Sequence, residues 1–160
     1  MLRRGMARWL WLAAAIVLLD QLSKQLIEHM MHYGDSFPIT PFFNLVLTYN
    51  PGAAFSFLAD AGGWQKHFFT GLALVVSVVI INMLRKHHAE TRFAWALSLI
   101  LGGAIGNVID RMIYGHVIDF IQLYYGRFYW PAFNVADSAI CVGAALMVLD
   151  SFYSKPKYTR

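Results

Sequence analysis

Four apolar runs, Trp9–Ile27, Gln65–Leu84, Phe93–Ile113 and Asn134–Phe152, constrain this chain more than any other feature. A helix needs roughly 20 apolar residues to cross a bilayer. Four such crossings take about half of the 160 residues. Apolar residues make up 58% of the chain and charged residues 14%, where a soluble domain carries about 25% charge. That excludes an ordinary soluble globule and a disordered chain. A lone Cys141, set in an apolar run, excludes a disulfide scaffold. The first run has the length of a signal-peptide core. Asp20, Lys24 and Glu28 follow it at helical spacing, with no small-residue cleavage site, so it reads as a retained helix. No repeat or linker divides the chain, and residues 1–160 read as a single membrane-embedded domain.

Lys and Arg collect in cytoplasmic loops. Arg3, Arg4 and Arg8 precede the first run, Arg85, Lys86 and Arg92 separate the second from the third, and Lys155, Lys157 and Arg160 follow the fourth. All lie on one side of a four-span arrangement, which places both termini and the 85–92 loop in the cytoplasm. The formal charge of +4 is then a topology signal and calls for no nucleic-acid partner.

The two long loops, 33–63 and 114–131, lie outside. Asn44–Tyr49 ends at the turn signal Asn50-Pro51-Gly52, and His116–Tyr125 is rich in β-branched and aromatic residues. The fold class expected is membrane α-helical: four transmembrane helices with a small β-rich periplasmic layer. Trp64, Tyr124, Tyr125, Tyr129 and Trp130 suit an aromatic belt at the outer interface.

Charges inside a bilayer are costly and need a reason. At about 1.5 Å per residue, Asp20 lies roughly 18 Å beyond Arg8, and Asp110 roughly 27 Å beyond Arg92. Asp137 is equally far from Lys155, and Asp119 can fold back to the same level. A ring of acids near the outer interface results. Structural readings compete for each. Asp20 and Lys24 form a favourable i, i+4 pair. Arg111 could neutralise Asp110, with Asn107 on the same face. Gly102, Gly103 and Gly106 suit close helix packing. Asn134 and Asp137 resemble an N-cap with an acid three residues on. Asp119 has only apolar neighbours and no local cation, so its carboxyl is expected to hold its proton. The six histidines show no metal-ligand spacing, and no nucleophile motif or phosphate loop is present. Neither a metal nor a cofactor is called for.

Five blocks make the chain recognisable: Asp20-QLSK, Asn50-PGAAF, Gly102-GAIGNVIDR, Gly115-HVIDF and Phe133-NVADS. In order, spacing and four-span frame they resemble bacterial lipoprotein signal peptidase, also called signal peptidase II. The resemblance implies an aspartic endopeptidase of the bacterial cytoplasmic (inner) membrane. It would remove signal peptides from diacylglyceryl-modified prolipoproteins, cutting before the lipidated cysteine at the outer face. It implies Asp119 and Asp137 as the catalytic pair. Asn50, Gly52, Asn107, Asp110, Arg111 and Asn134 would support or line the site, and Asp20 and Lys24 would hold the first helix to the outer layer. Partners would be the lipid-modified substrate and membrane lipid, with the enzyme a monomer.

The chemistry agrees. Two carboxylates sharing a proton hydrolyse an amide without a metal, one ionised and one neutral. Asp137, in a first helical turn, is the expected anion, and Asp119 the acid. Asn50–Ala54 is suited to the substrate backbone, or is only a tight turn. A small proton-coupled transporter is the alternative, but it would carry acids at mid-membrane and along a path to both sides. A non-enzymatic assembly subunit would not need an unpaired Asp119.

Overall fold

The computed structural model describes residues 2–52 and 64–153, with the side chains of residues 2–4 left aside. Arg3 and Arg4 as side chains, the segment 53–63 with Ala53 and Ala54, and Lys155, Lys157 and Arg160 therefore lie outside the described residues. Four helices follow the four apolar runs: α1 Leu2–Met30, α2 Trp64–His87, α3 Thr91–Ile113 and α4 Val135–Tyr153. Each is long and apolar enough to cross a membrane. The helices outrun the apolar text by a few residues, because the flanking basic residues continue the helix into the polar zone.

The helix α3 is the centre of the bundle. Over an apolar stretch of 18 residues 67% of its residues are buried, against 22%, 17% and 17% in the like stretches of α1, α2 and α4. Its glycines make this possible. A side chain on Gly102 would meet Ile16 and the Ala13 carbonyl of α1, one on Gly103 the Ala136 carbonyl of α4, and one on Gly106 the Asp20 carboxylate. Removing the Cβ lets backbones and a carboxylate come this close.

Four antiparallel strands lie beyond the helix ends in the order β1 Ser36–Thr40, β2 Phe43–Asn50, β3 Val117–Tyr125 and β4 Phe128–Tyr129. β2 and β3 are the two strands expected. β1 and β4 were not expected: β1 is short, mostly exposed and carries Pro38, and β4 has two residues. Tyr124 stacks on Tyr129 at 5.4 Å and donates its hydroxyl to the Thr40 carbonyl.

Two apolar clusters result. Trp9, Ala13, Ile80, Leu84, Ala94, Leu97 and Leu101 fill the helical end. Ile27, Met31, Leu47, Ile118 and Phe120 join the sheet to α1. Between them lies a buried polar layer containing Asp20, Lys24, Asn107, Asp110, Asp119 and Asn134.

Packing at Gly103 gives a test. Gly103→Ala drives a methyl into the α4 backbone and is expected to destabilise by about 1–3 kcal/mol, read as a lower Tm in detergent. Gly71→Ala on α2, where nothing lies within 4 Å, is expected to leave Tm unchanged or slightly raised. Equal losses at both positions would contradict the packing account.

Candidate active site

The polar layer is organised around a single ammonium. Lys24 Nζ lies 2.8 Å from Asp20 Oδ2 and 2.8 Å from Asp110 Oδ2, and donates to Asn107 Oδ1 at 3.1 Å. Asp20, Lys24 and Asp110 are fully buried. The i, i+4 pair within α1 is thus also the link to α3. Asp20 reaches α4 as well, accepting from the Ala136 N–H at 2.9 Å. The connection to the sheet is indirect: Asp110 Oδ2 accepts from the Ile118 N–H of β3 at 3.2 Å.

Arg111 makes no contact ion pair with Asp110, although the Asp110 charge acts on it after those of Asp137 and Asp119. Successive helical residues point about 100° apart and cannot face each other. Asp110 turns to Lys24 and to Gln21, whose Nε2 donates to Asp110 Oδ1 at 2.7 Å. Arg111 turns to the cleft that Asp137 also lines, with Nη1 3.5 Å from the Asn107 carbonyl. Its guanidinium sits 5.8 Å from the Phe69 ring centroid, and its buried Nε makes no hydrogen bond among the described residues.

Asn134 is the N-cap of α4. Its Oδ1 accepts from the Asp137 N–H at 2.9 Å, satisfying a first-turn donor. Its amide nitrogen faces three acceptors: Asp119 Oδ1 at 2.8 Å, Asn107 Oδ1 at 3.2 Å and the Ile118 carbonyl at 3.2 Å. The carboxylate of Asp137 accepts from Asn107 Nδ2 at 2.7 Å. The cap therefore does more than end a helix, since it binds β3 and Asp119 to the start of α4.

Asp119 is 2% exposed, within a run Val117–Phe120 that is buried throughout. Burial first, and the nearby Asp137 charge second, push its carboxyl up to about 7. Hydrogen bonds from Asn50 and Asn134, and the Lys24 charge, oppose the rise.

Asn50 joins the site and also holds the turn. Its Oδ1 accepts from the Gly52 N–H at 2.9 Å, while its side chain hydrogen-bonds Asp119. Gly52 has φ +116, and a Cβ there would meet Phe69 and Gln65 of α2 at 3.1 and 3.2 Å. Its glycine is required by backbone conformation and by packing on α2.

A cleft of about 690 Å³ opens on this layer. Asn50, Gly52, Arg111 and Asp137 form its polar end, and Phe69, Leu123, Trp130, Phe133, Ile140 and Val142 are among its apolar walls. Among the described residues no group of three metal-ligating side chains occurs. The candidate site residues Asp20, Lys24, Asn50, Gly52, Asn107, Asp110, Arg111, Asp119, Asn134 and Asp137 all belong to this layer or its cleft. Gln21 was missed: it adjoins Asp20 in a recognised block, but only the packing of α1 on α3 shows both residues straddling Gly106.

Residues 12–153 match the family described as Signal peptidase (SPase) II. The chain belongs to the signal peptidase II family. A lipoprotein signal peptidase of Cupriavidus taiwanensis is 61% identical over 142 residues, covering 89% of this chain and 81% of that one. One from Janthinobacterium sp. (strain Marseille) is 57% identical over 146 residues, covering 91% and 88%. A solved structure described as a bacterial membrane enzyme superposes with TM-score 0.81 at 30% identity, covering 96% of this chain and 95% of that one. None of these likenesses supports a transporter. Signal peptidase II here is a multi-pass bacterial membrane protein with a small antiparallel sheet.

The pairing found for Asp110 gives a second test. Asp110→Asn weakens a buried ion pair and is expected to destabilise by on the order of 3 kcal/mol, seen as a lower Tm together with lost activity. Arg111→Gln breaks no ion pair and is expected to hold Tm within a few degrees. The reverse pattern would restore an Asp110–Arg111 pair.

Proposed function

We propose that this signal peptidase II cleaves diacylglyceryl-modified prolipoproteins before the lipidated cysteine, with Asp119 and Asp137 as the catalytic pair. The observation that carries this is the linkage of the two acids. They come from β3 and from the first turn of α4, one amide of Asn134 joins their elements, and burial keeps Asp119 protonated near neutral pH.

The chemistry follows from the two environments. Asp137 receives the Asn107 amide and sits where a helix N-terminus favours negative charge. As the anion it takes a proton from water, whose oxygen attacks the scissile carbonyl carbon. Asp119 gives its proton to the carbonyl oxygen, forming a neutral gem-diol. On collapse Asp119 recovers that proton, the C–N bond breaks, and Asp137 passes its proton to the leaving amine. The resting charges are restored. The Arg111 guanidinium lines the cleft and can donate to a substrate carbonyl. The apolar walls suit acyl chains, at about 0.8 kcal/mol per buried CH₂. Membrane lipid would fill the cleft between turnovers, and the enzyme would act as a monomer.

The distribution of basic residues supports a reading with both termini and the 85–92 loop in the cytoplasm and the acids at the outer side of the cytoplasmic membrane. In a Cys141→Ala background, Gly34→Cys and Gly126→Cys are expected to react with an impermeant thiol reagent outside spheroplasts, and His88→Cys is not. External labelling of His88→Cys would reverse the orientation.

The deciding assay is cleavage of a lipid-modified prolipoprotein by the purified chain. Asp119→Asn and Asp137→Asn are each expected to abolish it while the protein stays folded, and the double variant to be no worse than either. Burial favours the protonated form of Asp119, and that form is the working acid. Activity is therefore expected to fall as pH rises through about 7. A rate still rising at higher pH would remove Asp119 from the role of acid. Unmodified substrate cut equally well would remove lipid recognition.

A further inference from the structure

Lys24 takes no part in the proton transfers above, yet it is completely buried beside them. Its partners show why it is there. Two of its hydrogens meet Asp20 Oδ2 and Asp110 Oδ2, and the third meets Asn107 Oδ1. The same oxygen of Asn107 also accepts from Asn134 Nδ2. With both donors on its oxygen, the Asn107 amide must turn its nitrogen to Asp137, where the hydrogen bond is 2.7 Å. Donation to an amide oxygen strengthens the N–H at its other end as a donor. The chain ammonium–amide–carboxylate thus runs from α1 through α3 to α4.

Asp119 receives Asn50 and Asn134 and feels the Lys24 charge through space, but no amide that touches the ammonium donates to it. The Asn134 amide facing it carries two hydrogens for three acceptors. The other charged groups nearby are Arg111 of α3, which acts on the pair, Asp20 of α1 and Asp110 of α3, which pair with Lys24, and each acid on the other. Asp20 and Asp110 flank the ammonium and pass it on only to backbone N–H groups, whereas Asn107 bonds both the ammonium and an acid of the pair.

We propose that Lys24 is a positioning residue for the peptidase reaction: through the Asn107 amide it holds the negative charge on Asp137 and leaves the shared proton on Asp119. This rests on the reading of Asp119 and Asp137 as the catalytic pair. Lys24 thereby selects which acid deprotonates water and which protonates the carbonyl, without touching substrate.

The test is the pH profile of kcat/KM on lipid-modified prolipoprotein, using the full chain in detergent. Asn107→Ser removes the amide but leaves Lys24 between its two carboxylates, so folding is preserved. Its acidic limb is expected to move up by about one pH unit, a tenfold change in proton affinity, with the alkaline limb in place. Lys24→Met is expected to give at least the same shift, and the double variant no further movement of the acidic limb. Lys24→Arg, which keeps a cation, is expected to restore the limb. A lower kcat with an unmoved acidic limb in Asn107→Ser would overturn the proposal, even where Lys24→Met fails to fold. Additive shifts in the double variant would overturn the route through Asn107. If the wild-type chain does not cleave this substrate, the peptidase reading fails first and takes this inference with it.

Discussion

An ammonium has three hydrogens, and Lys24 places all of them inside the bundle, on α1's own Asp20 and on Asp110 and Asn107 of α3. A lone carboxylate at this depth would be costly. The shared cation allows Asp20 and Asp110 to stay there, and each then binds a backbone N–H of another element. Asp20 takes Ala136 at the start of α4, and Asp110 takes Ile118 at the start of β3. The positions of the elements bearing Asp137 and Asp119 thus both trace back to one side chain. Replacing the network by apolar residues could fill the same volume, but it would leave those two N–H groups without acceptors.

The helices were legible because bilayer thickness sets a length and composition that few other structures share. The level of the acids followed from the rise per residue alone. β2 and β3 were legible from their β-branched content and the Asn50-Pro51-Gly52 turn. β1 was not, since Pro38 argues against a strand, and β4 is too short to leave a pattern. The burial of Asp119 could not be read from alternation, because Val117–Phe120 is covered on both sides by α1, the sheet and the approach to α4. Adjacent sequence numbers suggested a partner for Asp110, where helical phase forbids it. Gln21 carried no signal of its own, because nothing local shows which residues of α1 will straddle Gly106.

The glycines and the polar layer depend on each other. Gly106 exists beside Asp20 because a Cβ would lie 2.5 Å from the carboxylate oxygen. Without that approach Gln21 could not reach Gly106 O and Asp110 together. The two apolar clusters above and below the layer exclude lipid and water from it, which makes each hydrogen bond stronger and each missing one more costly. The cleft is where that exclusion is relaxed, and Asp137 and Arg111 meet it there.

The i, i+4 spacing of Asp20 and Lys24 also bears on how the chain enters a membrane. A newly made α1 carries its acid and base as an internally neutral pair, so it can be inserted before any other helix exists. Asp110 has no such partner on α3. It becomes tolerable only when α3 meets α1 and takes a share of the same ammonium. The pairing available within one helix therefore serves as a temporary shelter, and the exchange from one carboxylate to two marks the docking of α3 on α1. Asp137 follows later in the chain, on a helix whose first turn Asn134 caps.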